Sequence, residues 1–119
     1  MKITIVYDNE VLRKGLKAGW GFSCLIDNDV LFDTGGDGVA LLYNMEKLCI
    51  NPSDIKAVVL SHGHGDHTGG LSDLLEENQN LSVYALASFS KWVKNEIPKK
   101  TKLVEVRTDA DTKGCIHDG

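Results

Sequence analysis

The stretch SHGHGDHTGG, residues 61–70, carries most of the chain's imidazole groups. Three of the four histidines, His62, His64 and His67, lie here together with Asp66. The apolar run IKAVVLS leads into the stretch, and the helical pattern GLSDLLEEN follows it. A strand that ends in a glycine-rich loop and opens a helix is a common position for a site in an α/β protein.

The spacing of these four side chains predicts a metal site. His62 and His64 are two residues apart, so in an extended segment their imidazoles point to the same side and can chelate one ion. Asp66 and His67 follow a glycine and can turn toward a second ion. Imidazole and carboxylate ligands suit zinc, iron, manganese or nickel. The alternative is a polar turn with solvated histidines, which suits a single histidine better than this cluster.

Glycines interleave with the ionisable residues of the same stretch. The missing side chains of Gly63, Gly65, Gly69 and Gly70 allow positive φ angles and tight turns. All three cysteines lie outside residues 61–70, which argues against thiolate ligands there. The sequence therefore predicts a tightly turning loop whose ligands are nitrogen and oxygen atoms.

The pattern His-x-His-x-Asp-His after a buried strand resembles the metal-binding signature of the metallo-β-lactamase superfamily. The segments WGFSCLI, LFDTGG, LLYNMEKLCINPSDIKAVVLSHGHGDHTGGL and VYA are similar to a narrower branch. That branch contains the 7,8-dihydropterin-6-yl-methyl-4-(β-D-ribofuranosyl)aminobenzene 5′-phosphate synthases, which are linked to methanopterin biosynthesis. The resemblance covers residues 1–87. It implies an α/β (α+β) fold, the αβ/βα sandwich, of which this chain matches the first half only: a mixed sheet with helices on one face.

The resemblance also implies an activity. Members of this kind are metal-dependent hydrolases in which a metal-bound hydroxide attacks an ester or phosphodiester. The implied cofactor is one or two divalent transition-metal ions, with zinc favoured and iron or manganese as alternatives. The implied metal ligands are His62, His64, Asp66 and His67. Asp66 is also the implied catalytic residue, because the resemblance gives it the role of orienting the nucleophile. Two other functions stay open: a metal-binding half-domain without turnover, and a pterin-forming synthase.

Two residues outside the histidine cluster are candidates for supporting roles. Asp33 ends an apolar strand and precedes Thr34 and two glycines. It either caps the helix that starts near Asp37 or, as the resemblance implies, lies behind the metal site and orients a ligand. His117, in the segment GCIHDG, resembles a later ligand of the family branch and is a tentative metal ligand, although it follows His67 by only 50 residues.

Chain length, net charge and cysteine content restrict which partners and which cellular compartment we expect. The 119 residues fit one domain, a metallo-β-lactamase-like half-domain whose residues 109–119 we expect to form a disordered tail. The net charge of −4 argues against nucleic acid or an anionic membrane as partner, and leaves a small-molecule substrate. The N-terminal apolar run is too short for a signal peptide. Three cysteines without regular spacing favour a cytoplasmic protein with free thiols, and Cys24 and Cys49 are expected in the core.

Hydrophobic patterns predict six strands and three helices. Strands are expected at residues 1–7, 20–26, 30–33, 55–60, 81–87 and 103–106, with a loop at 8–19 and a turn at 27–29. Amphipathic helices are expected at residues 39–48, 71–77 and 88–95. Several strands are apolar on both faces, and the helices can cover only one face of the sheet. We therefore expect either a homodimer or a missing C-terminal half to cover the other face.

Overall fold

A computed structural model describes residues 1–10, 14–61, 69–86 and 97–106. Within these ranges six strands form one sheet whose spatial order follows the sequence. They are β1 (Ile3–Tyr7), β2 (Ser23–Ile26), β3 (Val30–Phe32), β4 (Ala57–Val59), β5 (Ser82–Leu86) and β6 (Lys102–Val106). Strand β2 is antiparallel to both of its neighbours, β1 and β3, and β3 to β6 run parallel. This is the mixed sheet that the sequence predicts.

Two α-helices connect the parallel strands. Helix α1 spans Gly38–Lys47, and its N-terminus is capped by Asp37, whose side chain accepts hydrogen bonds from the backbone N–H groups of Val39 and Ala40. Helix α2 spans Leu71–Glu77, as predicted. Short 3-10 helices occupy Pro52–Asp54 and Ile97–Lys99. In the part of the chain that the structure describes, no helix combines the length and the apolar character that crossing a bilayer requires. The helix predicted at residues 88–95 lies outside the described residues.

The helices pack on one face of the sheet. The buried core joins side chains of both helices to strand residues that are paired neighbours in register, including Leu25, Leu31, Val58 and Val83. The alternating strand residues, such as Phe32 and Val59, point to the opposite face and do not belong to this core. The prediction that helices cover one face is therefore confirmed for the described elements.

Two local predictions were wrong. Residue 20 was expected to start the second strand, but β2 begins at Ser23, because Gly21 adopts a φ of 121° that no strand continues. Cys49 was expected in the core, but it is exposed. It directly follows the end of α1 with a φ of 60°, a reversal that turns its side chain toward solvent. Cys24 is buried, as predicted.

Candidate active site

One edge of the sheet gathers the ends of five strands. Because β1 and β3 are both antiparallel to β2, and β4, β5 and β6 run parallel to β3, these five strands all end at the same edge. We call it the carboxyl edge, and the opposite one the amino edge. Ser61 follows β4 at the carboxyl edge, and the described chain resumes at Gly69, after residues 62–68. Ligands of open α/β sheets bind in the crevice outside the carboxyl ends of the strands.

Asp33 is fixed at this edge, directly after β3. It is fully buried and adopts the left-handed region, with a φ of 60°. Its backbone N–H donates to the carbonyl oxygen of Val59 at 2.8 Å, and its own carbonyl accepts a bond from the hydroxyl of Ser23 at 2.7 Å. The backbone of Asp33 is thus bound to β2 and to β4, the strands on both sides of β3. These bonds fix the backbone from which its side chain extends.

The Asp33 carboxylate holds the residue that precedes the histidine cluster. One oxygen accepts the backbone N–H of Ser61 at 2.7 Å, and the other accepts the Ser61 hydroxyl at 2.5 Å. The alternative that Asp33 caps α1 is wrong, because Asp37 accepts the first helical N–H groups. A carboxylate that takes two bonds from Ser61 fixes the point from which His62 starts.

The other end of residues 62–68 is attached to the same short loop. The N–H of Gly70 donates to the carbonyl oxygen of Gly35 at 3.0 Å. A Cβ atom on Gly70 would lie 2.5 Å from the carbonyl oxygen of Thr34. Gly70 has a φ of −84°, so close packing, rather than the positive φ expected from the sequence, is what requires a glycine here. Residues 33–35 therefore anchor both ends of the histidine-bearing segment.

The ring of Tyr7 packs against residues 33–35, the short loop that holds Ser61 and Gly70. Its ring is buried so tightly against Gly35 that a Cβ there would lie 2.6 Å from the ring, and Gly35 needs its φ of 72°. Burial, followed by the negative charge of Asp37, raises the pKa of the Tyr7 phenol, and hydrogen bonds from the N–H groups of Gly36 and Asp37 partly oppose that shift. Tyr7 is therefore a neutral phenol at physiological pH.

The charge of Asp33 also acts on a thiol in β2. Burial, and then the nearby Asp33 carboxylate, raise the pKa of the Cys24 thiol. A thiol that is held protonated is a weak nucleophile and a weak metal ligand. Cys24 is consequently a packing residue of this edge, which agrees with the sequence argument against thiolate ligands.

Trp20 is a surface feature of the carboxyl edge that the sequence analysis missed. It is 65% exposed, although tryptophan is usually well buried. The backbone around it is held on both sides: the N–H of Gly21 donates to the side chain of Asn9 at 2.8 Å, and Phe22 accepts the N–H of Gly35 at 2.9 Å. Its position between two glycines, Gly19 and Gly21, was the available signal that this tryptophan lies in a loop and not in a strand.

Of the predicted site residues, Asp33 alone lies among the described residues. Asp33 lies at the carboxyl edge and binds Ser61, and its role in orienting a metal ligand stays a prediction. The predicted metal ligands lie outside the described residues: His62, His64, Asp66, His67 and the tentative ligand His117. The predicted tail at residues 109–119 also lies outside them. Within residues 1–10, 14–61, 69–86 and 97–106, no three metal-ligating side chains come together. The metal ligands thus stay a prediction of the sequence.

Comparisons with known proteins agree with this fold. The family model of the Metallo-beta-lactamase superfamily matches residues 25–113. The chain is 43% identical over 61 residues to the 7,8-dihydropterin-6-methyl-4-(beta-D-ribofuranosyl)-aminobenzene-5'-phosphate synthase of Methanocaldococcus jannaschii, a match that covers 50% of this chain and 21% of that protein. It is 40% identical over 58 residues to a hydroxyacylglutathione hydrolase of Actinobacillus pleuropneumoniae serotype 5b, covering 49% of this chain and 23% of that enzyme.

A solved structure extends the comparison to three dimensions. Tm1679, a metal-dependent hydrolase of the beta-lactamase superfamily, superimposes with a TM-score of 0.70 at 31% sequence identity. The match covers 87% of this chain but only 41% of Tm1679, so the chain spans less than half the length of this relative. The family model covers most of the chain, and the similarity to the dihydropterin synthase branch predicted from the sequence is confirmed. The chain belongs to the metallo-beta-lactamase superfamily.

Proposed function

We propose that this protein is a metal-dependent hydrolase that cleaves an ester or a phosphodiester. The observation that carries the proposal is the double attachment of residues 62–68: Asp33 holds Ser61 at one end, and Gly35 holds Gly70 at the other. Two of the matched relatives are hydrolases by name, one of them metal-dependent. Flanking residues held at the carboxyl edge suit a segment whose side chains must keep a set geometry.

The residues of the attached segment fit a metal ion by their chemistry. Three imidazoles and one carboxylate, His62, His64, His67 and Asp66, make a donor set that divalent transition metals prefer. A bound ion would lower the pKa of a water molecule toward ~7 and polarise the carbonyl or phosphoryl oxygen of the substrate. Zinc suits these donors best, with iron and manganese as alternatives.

The chain's own groups have distinct tasks in this proposal. Asp66 would help to hold the ion and would orient the attacking water. Asp33 is a positioning residue, because its carboxylate holds Ser61, the residue that directly precedes His62 in the sequence. Trp20 offers a flat apolar surface at the same edge, which suits a substrate with a planar group. Hydrolysis then adds the elements of water across the broken bond, giving an acid and an alcohol.

A second function is favoured by a separate observation. The identity of 43% over 61 residues with the dihydropterin-forming synthase makes a pterin-forming reaction the alternative activity. A metal-binding half-domain without turnover is the other alternative, since the chain spans a minority of each of these relatives. We also propose a cytoplasmic location, supported by the free thiols of Cys24 and Cys49.

Metal content and turnover, measured together, test the proposal. The purified chain should contain a transition metal, and the double variant His62→Ala/His64→Ala should lose most of it, because two of the four predicted ligands are gone. The matched control is Gln79→Ala/Asn80→Ala, two exposed polar side chains at the amino edge, which should retain the metal. The variant His117→Ala, measured alongside, decides whether that histidine is a ligand.

Turnover then separates the candidate functions. The metal-loaded chain should hydrolyse bis-p-nitrophenyl phosphate or a p-nitrophenyl ester, and the double histidine variant should not. Metal binding without turnover of either substrate would favour the half-domain alternative. Unchanged metal content in the double histidine variant would contradict the site assignment itself.

A further inference from the structure

The loop that carries Trp20 is held at both residues beside it. The N–H of Gly19 donates to the carbonyl oxygen of Asp8 at 3.0 Å, and the N–H of Gly21 donates to the side chain of Asn9 at 2.8 Å. Both bonds go to the chain that directly follows β1, so Trp20 has a set backbone position between them. The tryptophan itself stays 65% exposed.

Three hydrogen bonds of a buried helix residue extend this support. Asn44 of α1 is 1% exposed, and its side-chain oxygen accepts the N–H of Lys17 at 2.8 Å. Its amide nitrogen donates to the carbonyl oxygens of Lys17 at 2.9 Å and of Val6 at 2.8 Å. Because a buried amide must satisfy its polar atoms, these bonds tie the approach to the Trp20 loop to α1 and β1.

The ring of Tyr7 lies between the Trp20 loop and residues 33–35. A Cβ atom on Gly19 would collide with the Tyr7 hydroxyl, and one on Gly35 would lie 2.6 Å from the ring. Tyr7 is only 2% exposed, so both contacts belong to the packed interior. The two loops are therefore packed against one rigid side chain.

The indole of Trp20 itself reaches the anchoring loop. A Cβ atom on Gly36 would lie 2.5 Å from the Trp20 carbonyl oxygen and 3.2 Å from Cε3 of the indole. One edge of the indole thus lies against Gly36, the residue that directly follows 33–35. Those residues hold Ser61 and Gly70, which flank the predicted metal ligands in the sequence. An exposed aromatic ring therefore lies beside the attachment points of the metal segment.

A ring that is both fixed and exposed is suited to binding. Single exposed apolar side chains are ordinary at protein surfaces and need no supporting structure. Trp20 has such a structure, made of the buried side chains of Asn44 and Tyr7 and of the bonds at residues 19 and 21. A side chain on a backbone that is already held loses little freedom when a ligand covers it.

We propose that Trp20 binds a planar aromatic group of the substrate and thereby selects aromatic esters or phosphodiesters over aliphatic ones. The inference rests on the proposed function for the bond that is cleaved, but the binding of the ring can be measured without turnover. Indole attracts another aromatic ring in an offset-stacked or edge-to-face arrangement. A saturated ring of similar size is puckered and has no π system, so it lacks this attraction.

Two carboxylates of equal charge and similar size test the inference: planar benzoate and puckered cyclohexanecarboxylate. The chain has two tryptophans, so Trp92→Phe leaves Trp20 as the single one. With zinc supplied, the NMR signal of the Trp20 indole N–H should shift on addition of benzoate and not of cyclohexanecarboxylate. In calorimetry on the otherwise unchanged chain, Trp20→Ala should weaken benzoate binding roughly tenfold and leave cyclohexanecarboxylate binding unchanged.

Two further variants serve as controls. Trp20→Phe keeps a planar ring and should recover most of the benzoate affinity. Ile3→Ala shortens another exposed apolar side chain, 58% exposed at the amino edge, and should change neither affinity. Circular dichroism shows which variants fold, and if Trp92→Phe does not, the calorimetry of Trp20→Ala decides alone.

A benzoate preference that Trp20→Ala abolishes and Trp20→Phe restores supports the inference. Equal affinities for the two carboxylates, or a benzoate affinity that folded Trp20→Ala leaves unchanged, overturns it. Ester and phosphodiester turnover is measured separately. A chain without turnover that still binds benzoate through Trp20 would contradict the proposed function and support the role of Trp20.

Discussion

Asp27 and Asp33 have nearly the same positive φ angle at opposite edges of the sheet. Their φ angles are 54° and 60°, and each carboxylate accepts a backbone N–H from a neighbouring strand or its end. Asp27, at the amino edge, is exposed and takes the N–H of Lys2 at 3.0 Å. Asp33, at the carboxyl edge, is fully buried and binds Ser61 through both its oxygens.

The two edges use polar residues for different purposes. At the amino edge these residues tie element ends together: Asp27 accepts the N–H of Lys2 next to β1, Asn51 caps the first 3-10 helix, and buried Asn78 donates to the carbonyl oxygens of Pro52 and Ile55. At the carboxyl edge the bonds of Asp33 and Gly35 hold the two ends of residues 62–68. Ser61 and Gly70, which flank the metal-ligating residue types in the sequence, are thus the residues held at this edge.

Removing each aspartate side chain gives the largest expected difference between the edges. Asp33→Ala should lower the free energy of unfolding by about 2–4 kcal/mol, because two part-buried donors of Ser61 lose a charged acceptor. Asp27→Ala, with the same strain for alanine at positive φ, should cost about 1 kcal/mol or less beyond that strain. Chemical denaturation of both variants measures the difference.

Metal affinity shows whether Asp33 has more than a structural part. Asp33→Ala should weaken metal binding roughly 10–100-fold, and Asp27→Ala should leave it unchanged. Asp33→Asn keeps an acceptor for the Ser61 N–H and tolerates the positive φ, so it should recover much of the stability. If Asp33→Ala, Asp33→Asn and Asp27→Ala all bound the metal equally well, Asp33 would contribute only to the stability of the fold.

Gly70 tests the other attachment point with a somewhat smaller effect. Gly70→Ala should cost about 1–3 kcal/mol of unfolding free energy, because its Cβ would meet the Thr34 carbonyl and the backbone must shift. Gly15→Ala is the matched control: its φ of 96° strains an alanine, yet no atom of the described residues lies within 4 Å of the added Cβ. Metal affinity should fall only in Gly70→Ala. A loss of affinity in both variants, or in neither, would contradict the anchoring role.

How far the sequence predicts this molecule depends on the range of the interactions. Helix α2 and the 27–29 turn were found correctly because their signals, a stripe of leucines and a polar Asp-Asn-Asp group, are local. The resemblance gave the fold class. The bond between Asp33 and Ser61 joins residues 28 positions apart, and no local pattern reports it. The exposure of Cys49 was missed for a related reason, since it depends on one left-handed residue after a helix.

The smallest expected effect is on stability at alkaline pH, and it comes from the protons of the Cys24 thiol and the Tyr7 phenol near the carboxyl edge. The pKa values of Cys24 and Tyr7 are raised in the folded chain, above ordinary values of 9.0 and 10.0. The folded state therefore holds both protons more tightly than the unfolded state does. Their stabilising contribution is complete below the unfolded values and is lost as the pH rises through the folded ones.

The free energy of unfolding should thus decline above about pH 9, by at most ~1.4 kcal/mol per pH unit for each proton. Cys24→Ala should flatten the first part of the decline, and Tyr7→Phe the part above pH 10. Cys49→Ala, which removes an exposed thiol near the amino edge, should retain the wild-type slope. Urea denaturation between pH 7 and about pH 11 measures these slopes, and a decline that Cys24→Ala and Tyr7→Phe leave unchanged would have to originate in other groups.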